Sequence, residues 1–353
     1  PCIYLAKSGR HPESVDALVR LAELLALPVM ETQTDKMNFP TTHPLYGTGP
    51  AAKDADALLV IESPAAFVPG RGAPSADAKI IWVDVDPVQS RYKTMEHRAD
   101  MWLPVSTTGA ALAIYEAATG LLTKSDISRI ADRRARLEML KQEKGKAAED
   151  AAAVASKRKP LHPRWVAYQL GQIMEPDTIL LDDALSNTPF VQAYHNRDLP
   201  RTYFKSGGST GGWGSGAALG AKVAKPNSDV ILTSGDGYYM FGTPLAGLWA
   251  AGHHGAPYLT VVFVNGSYST GTRGLKGTYP DGAAMRAENY DGGLFDPPPD
   301  FAKLAEAANG YGETVYEAEE VGPALRRGLE QVRNGTPAVI AAKIPTAVQE
   351  MSL

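Results

Sequence analysis

The chain alternates short apolar runs with stretches of helical periodicity. Residues 2–6, Cys-Ile-Tyr-Leu-Ala, form an unbroken apolar run. Val15, Leu18, Val19, Leu21, Ala22, Leu24 and Leu25 then recur at the spacing of one helix face. Pro28-Val-Met-Glu, Ala57-Leu-Leu-Val-Ile-Glu and Ile80-Ile-Trp-Val-Asp-Val-Asp-Pro are further apolar runs ending in polar residues. Strands buried on both faces of a parallel sheet look like this. A short strand at 101–105 leads into a helix for which Thr107 and Thr108 both fit as N-cap.

A second strand–helix series begins near Pro160. His162 to Ile173 suits a helix and Asp177-Thr-Ile-Leu-Leu-Asp a strand. A glycine-rich segment at 207–220 runs into a helix, and 229–233, 259–264 and 338–344 read as buried strands. Between the two series, 123–160 is rich in Lys, Arg, Glu, Asp and Ala, as a solvated helical connector is. The expected fold is therefore α/β, with two doubly wound parallel-sheet domains joined by a charged helical linker. The boundaries read as 1–122, 123–160 and 161–353, consistent with a length of 353 residues that exceeds one ordinary core.

Composition narrows the classes. The 35 basic and 39 acidic residues leave a net charge of -4, without the concentrated basic face of a nucleic-acid binder. No apolar run approaches the roughly 18 to 20 residues of a membrane helix. Cys2 is the single cysteine, so no disulfide forms within the chain, which fits a reducing, cytoplasmic setting. The chain opens on a core strand with no initiator Met and no signal peptide, and reads as cut from something longer.

The chemistry concentrates in Val230-Ile-Leu-Thr-Ser-Gly-Asp-Gly, where Asp236 sits between two glycines at the end of a buried strand. Ligands of open α/β sheets bind just beyond such strand ends. Gly235 and Gly237 let the backbone turn sharply and approach a ligand. Thr243-Pro244 then opens a helix, with Thr243 as N-cap and Pro244 as first residue. Leu245, Leu248, Trp249 and Ala250 are expected to face inward and Gly252 to end the helix. The next strand, Leu259-Thr-Val-Val-Phe-Val, ends on Asn265-Gly266-Ser267.

Alone, Gly-Asp-Gly reads as a turn and Asn-Gly as a hairpin. The helix and strand between them place Asp236 and Asn265 instead on the ends of two neighbouring parallel strands. A carboxylate, an amide oxygen and a backbone carbonyl are hard oxygen ligands suited to Mg²⁺, which completes its shell with phosphate oxygens and water.

This pairing resembles the thiamine-diphosphate (ThDP) binding signature of the acetolactate synthase, benzoylformate decarboxylase and pyruvate decarboxylase superfamily. The resemblance implies that Asp236, the side-chain oxygen of Asn265 and the carbonyl of Ser267 bind Mg²⁺. It assigns diphosphate contacts to Ser186 and Asn187, in the loop after the first strand of the second domain, and to the backbone of Tyr238, where relatives often carry Ser or Ala. Ser206-Gly-Gly-Ser-Thr-Gly-Gly-Trp-Gly-Ser-Gly resembles the segment lining the cofactor rings. Ser209 falls where a carbonyl receives the 4′-amino group. Gly211 falls where relatives carry a bulky apolar side chain that holds the cofactor bent. Two more departures are Gly266, where a second Asn is usual, and a slightly longer spacing in the Gly252–Pro257 turn.

The phrase Ile80-Ile-Trp-Val-Asp-Val-Asp-Pro resembles the family's central domain, which binds FAD or ADP in some relatives and is structural in others. No nucleotide signature is visible in it here, which favours the structural role. Gly212-Trp-Gly214-Ser-Gly-Ala217 formally matches a dinucleotide fingerprint, but no strand directly precedes it. His253-His254, at a helix end, read as surface or packing residues. Tyr268, Thr270, Thr272 and Arg273 follow the metal loop, where the resemblance puts a wall over the cofactor.

The function implied is a ThDP- and Mg²⁺-dependent lyase, decarboxylase or carboligase acting on a 2-oxo acid. No catalytic residue is assigned within the chain. The resemblance places the activating glutamate on a pyrimidine-binding domain, and active sites between chains, in a homodimer or tetramer. Two alternatives stay open: the large subunit of a split ThDP enzyme, or a non-catalytic ThDP-binding or regulatory protein.

Overall fold

The computed structural model describes residues 1–32, 35–67, 72–88, 97–207, 210–290 and 293–346. They fall into two compact units, Pro1–Ala147 with Arg197–Phe204, and Ala148–Asn196 with Lys205–Leu353.

The first unit contains β1 (Cys2–Leu5), β2 (Val29–Glu31), β3 (Ala57–Ile61), β4 (Lys79–Asp84) and β5 (Met101–Pro104). They form a five-stranded sheet in the order β2-β1-β3-β4-β5, with every neighbour parallel. Side chains of a strand alternate between faces, and here both faces are buried. Ile3 and Leu5 join a cluster with Leu18, Leu21, Val83 and Ala110. Cys2 and Tyr4 join the opposite one, with Leu58, Val60, Ile80 and Trp82. This double burial explains why the strands read as continuous apolar runs.

The charged connector is a helix, Lys124–Ala155. Its first part is fastened to the first unit rather than fully solvated: Leu137 is buried at 3% exposure. Arg133 donates to the carbonyls of Ala26 and Leu25, and Lys141 to that of Thr41. The division between units falls at 147/148, inside the segment 123–160 that the charge pattern sets apart.

The second unit contains β6 (Ile179–Asp183), β8 (Val230–Gly235), β9 (Leu259–Val264), β10 (Tyr311–Val315) and β11 (Ala338–Lys343), and the short β7 (Tyr203–Lys205) precedes β8 in the chain. The sheet order is β10-β11-β9-β8-β6-β7. The ladders joining β10, β11, β9, β8 and β6 are all parallel. All six residues of β9 are buried. The helix Ala318–Arg333 packs Val321, Leu325, Leu329 and Val332 inward.

Several local expectations need correction. Ser106, not Thr107 or Thr108, caps the helix Thr107–Leu121, its hydroxyl accepting from the Gly109 N–H. Thr107 is instead buried, its hydroxyl 2.5 Å from Glu62 Oε1. Thr243 precedes Pro244 as expected but sits at φ 46° with no side-chain cap. The helix runs Pro244–His253, past Gly252. Within it Leu248 and Ala251 face inward, whereas Leu245 and Trp249 are 49% and 56% exposed. Pro244, Leu248 and Ala251 already make up the inward stripe, and Leu245 and Trp249 flank it on one side. His253 stacks on Trp249 at that exposed end, a surface role. Among the described residues no helix is long and apolar enough to cross a membrane.

Candidate functional site

β8 and β9 run side by side, with Gly235 aligned to Phe263. The residues just past their ends therefore meet. Asp236 Oδ2 accepts the Gly266 N–H at 2.7 Å, and Oδ1 accepts the Gly237 N–H at 2.9 Å. Asp236 is 2% exposed. Burial pushes its carboxyl up to about 6, against the N–H groups of Gly266, Gly237 and Asn265 and the Lys343 charge, which pull it down. Gly266 holds φ 65°. Glycine and asparagine are the residues that enter this left-handed region most readily. Glycine in place of the usual asparagine thus leaves the turn intact.

Asn265 Oδ1 accepts from the Ser267 N–H at 2.9 Å and from the Ser267 hydroxyl at 3.1 Å. Its Nδ2 donates to Ser269 Oγ at 2.6 Å. Asn265, Ser267 and Ser269 are all buried.

A pocket of about 250 Å³ opens over these groups, lined by Ser186, Gly235, Asp236, Gly237, Tyr238, Asn265 and Ser267, with Tyr268, Ser269 and Thr270 on its wall. Nine of the residues singled out in the sequence thus face one cavity. Asn187 and Gly211 do not line it. Asn187 is 3% exposed, in the short turn Leu185–Asn187, and its Nδ2 has no hydrogen-bond partner. Gly211 lies against the ring of Tyr238. Ser209 lies outside the described residues. The glycine-rich departure and the Tyr238 departure are therefore one local exchange: bulk absent at 211 is present at 238.

Two organising carboxylates escaped the sequence reading. Asp182 and Asp183 end β6 and are buried. Asp182 Oδ1 accepts the Ala184 N–H and the hydroxyls of Thr188 and Thr233, which shapes the loop carrying Ser186. Asp183 Oδ2 accepts the N–H groups of Gly212 and Gly214 at 3.1 and 3.2 Å. Burial raises its carboxyl to about 6, with those two N–H groups opposing. The available signal was two charges closing an apolar run, unusual without partners. Asp183 also disposes of the dinucleotide reading. The fingerprint's backbone N–H groups would face a pyrophosphate; here an internal carboxylate already holds them.

Tyr268 and Phe295 were also missed as packing partners. The Tyr268 ring covers Gly237, where an added Cβ would sit 2.7 Å from Cε1. It packs edge-on to Phe295 at 4.7 Å and stacks on Phe241 at 5.7 Å. An aromatic wall thus braces the Gly-Asp-Gly turn, as its glycines permit.

Among the described residues no three His, Cys, Asp or Glu side chains cluster as a metal site. A cation here would be held by a carboxylate, an amide oxygen, a main-chain oxygen and the ligand's own oxygens. That donor set suits a hard cation such as Mg²⁺. Ser186 on the pocket wall and the open backbone at Gly235, where an added Cβ would meet nothing nearer than 3.6 Å, fit an anionic group brought close to the chain.

Comparisons with known proteins point to one family. Residues 186–342 match the thiamine pyrophosphate enzyme C-terminal TPP binding domain, and residues 1–108 the thiamine pyrophosphate enzyme central domain. The chain belongs to the thiamine-diphosphate enzyme superfamily. Similar curated proteins include a sulfoacetaldehyde acetyltransferase of Castellaniella defragrans, 25% identical over 91% of this chain and 56% of that protein. A probable acetolactate synthase large subunit of Methanococcus aeolicus is 25% identical over 91% of this chain and 54% of its own length. The chain thus spans about half the length of the curated relatives it matches. The crystal structure of benzoylformate decarboxylase from Polynucleobacter necessarius shares the fold, with a TM-score of 0.71, 20% identity and coverage of 98% of this chain and 61% of that one.

Proposed function

We propose that this chain carries the cation- and diphosphate-binding half of a ThDP- and Mg²⁺-dependent enzyme of the acetolactate synthase and decarboxylase type, acting on a 2-oxo acid. The observation that carries the reading is the convergence of Asp236, Asn265 and Ser267 at the ends of β8 and β9, in one pocket with Ser186. The names of the relatives support the same class: acetolactate synthase, acetyltransferase and benzoylformate decarboxylase.

In this reading the carboxylate of Asp236, the Asn265 amide oxygen and the Ser267 carbonyl hold the cation. Ser186 and Asn187 donate to the diphosphate. Gly235 keeps the backbone open to it, and Gly237 lets the turn pass under the Tyr268 ring. Bound ThDP would supply an electron sink for the electron pair left behind when a 2-oxo acid loses carbon dioxide. The carboxylate that activates the cofactor comes from a pyrimidine-binding domain, on the same longer chain or on a separate subunit. The site is completed between chains of a homodimer or tetramer, in the cytoplasm. The first unit supports the assembly without a nucleotide of its own.

Calorimetry of the intact protein with ThDP, with and without Mg²⁺, tests the reading. Cation-dependent binding, with turnover in a screen of 2-oxo acids, supports it. ThDP binding that ignores Mg²⁺, or no binding, refutes it.

A further inference from the structure

The Asn265 amide is fixed by a closed circuit of hydrogen bonds. A backbone N–H can only donate, so the amide atom facing the Ser267 N–H at 2.9 Å is the oxygen. Nδ2 then points to Ser269 Oγ at 2.6 Å and must donate, because an amide nitrogen has no lone pair to offer. The Ser267 hydroxyl gives its proton to Oδ1 at 3.1 Å. Ser267 Oγ is therefore left as the acceptor in its 3.1 Å contact with Ser269 Oγ. The proton of Ser269 goes there. The circuit runs Asn265 Nδ2 to Ser269 Oγ, to Ser267 Oγ and back to Asn265 Oδ1, with each hydroxyl proton used once.

All three residues are buried, Asn265 at 8% and both serines at 3% exposure. Water is a poor substitute for a missing partner there. Ser269 opens the helix Ser269–Thr278, so its place is set by backbone structure. We infer that Ser269 is a positioning residue for the cation site: by accepting from Nδ2 at 2.6 Å it steadies the Asn265 amide, whose oxygen meets the Ser267 turn on the pocket wall. The inference rests on the reading of Asn265 Oδ1 as a cation ligand.

The circuit also states what must yield when a cation arrives. An amide oxygen has two lone pairs, and the N–H and the hydroxyl of Ser267 take both. The longer hydroxyl contact is the one to open, while the Nδ2–Ser269 bond and the Ser267 N–H remain and hold the amide in place. Without the Ser269 hydroxyl, Nδ2 loses its acceptor at 2.6 Å. The amide is then held through its oxygen alone, by the N–H and hydroxyl of Ser267, and is free to rock away from the geometry a cation needs.

The test is Mn²⁺ binding by the intact protein in the presence of ThDP, read by loss of the free-ion paramagnetic resonance signal. Residues that orient a metal ligand typically change affinity about 10- to 100-fold when removed. Ser269→Ala is expected to weaken Mn²⁺ binding at least tenfold while melting near the parent temperature. Ser269→Thr keeps a hydroxyl and is expected to bind close to the parent value. Parent-like binding by Ser269→Ala, or equal weakening in both variants, overturns the assignment of Ser269 alone. Absence of Mn²⁺ binding by the parent protein overturns the cation site, and this assignment with it.

Discussion

Tyr238 lies directly over Gly211: a Cβ added to Gly211 would meet Cδ1 of the Tyr238 ring at 2.3 Å and Cε1 at 2.5 Å. Neither residue follows the pattern its position resembles, and each makes room for the other. Gly211→Leu is expected to displace the ring, since overpacking a filled site costs about 1–3 kcal/mol. It should lower both thermal stability and ThDP affinity. Adding Tyr238→Ser should recover much of the loss. A double-mutant cycle on the melting temperature measures the coupling, which for residues in contact runs to about 0.5–3 kcal/mol. Additive effects would show that the two positions are independent.

Asp236→Ala is expected to abolish cation-dependent ThDP binding in calorimetry. The change also strands the N–H groups of Gly237 and Gly266, each of which bonds to that carboxylate. An unpartnered buried donor costs about 1–3 kcal/mol, so urea unfolding should shift to lower midpoint as well. Asp236→Asn retains one acceptor oxygen and is expected to lose less stability while still losing the cation.

Asp183→Ala should loosen the glycine-rich segment, because Gly212 and Gly214 both donate to Asp183 Oδ2. The same cost of about 1–3 kcal/mol for each orphaned buried N–H applies. Hydrogen exchange at the start of the helix Trp213–Ala224 is the direct readout. Unchanged protection there would refute the anchoring role.

Glu31 makes stability pH-dependent in the first unit. Burial raises its carboxyl from the ordinary 4.5 to about 7, opposed by hydrogen bonds from the Tyr46 hydroxyl and from the side chain and N–H of Asn38, with Asp35 adding to the rise. The folded state therefore holds this proton more tightly than the unfolded chain does. Its contribution is full below about 4.5 and is lost as pH rises toward 7. Melting temperatures recorded across that range should fall less for Glu31→Gln than for the parent. Parallel curves would exclude Glu31 as the titrating group.

Much of the fold was legible because it rests on burial. The runs at 2–6, 57–62 and 80–84 are apolar on both faces, and only a covered parallel sheet hides both. β10 and the helix Ala318–Arg333 were not read from the pattern. The strand Tyr311–Val315 has Gly and Glu among its five residues and is only partly buried until Val315, so its hydrophobic signal is weak. Leu245 and Trp249 misled for the opposite reason. Apolar residues mark a buried face only when the surface against them is known, and a large part of any protein surface remains apolar.

The sequence by itself determined the strand endings that carry Asp236 and Asn265, because glycines and polar residues can close a buried strand only at its exit. It also determined the parallel, doubly wound class, through alternation of apolar runs with helical periodicity. Tertiary structure alone decided which side chains meet across those endings. Asp183 reaches the N–H groups of Gly212 and Gly214, far along the chain, because β6 ends beside the glycine-rich turn. The ring of Tyr238 fills the space over Gly211 for the same reason. Periodicity reports which way a residue faces; only the packed chain fixes what it faces.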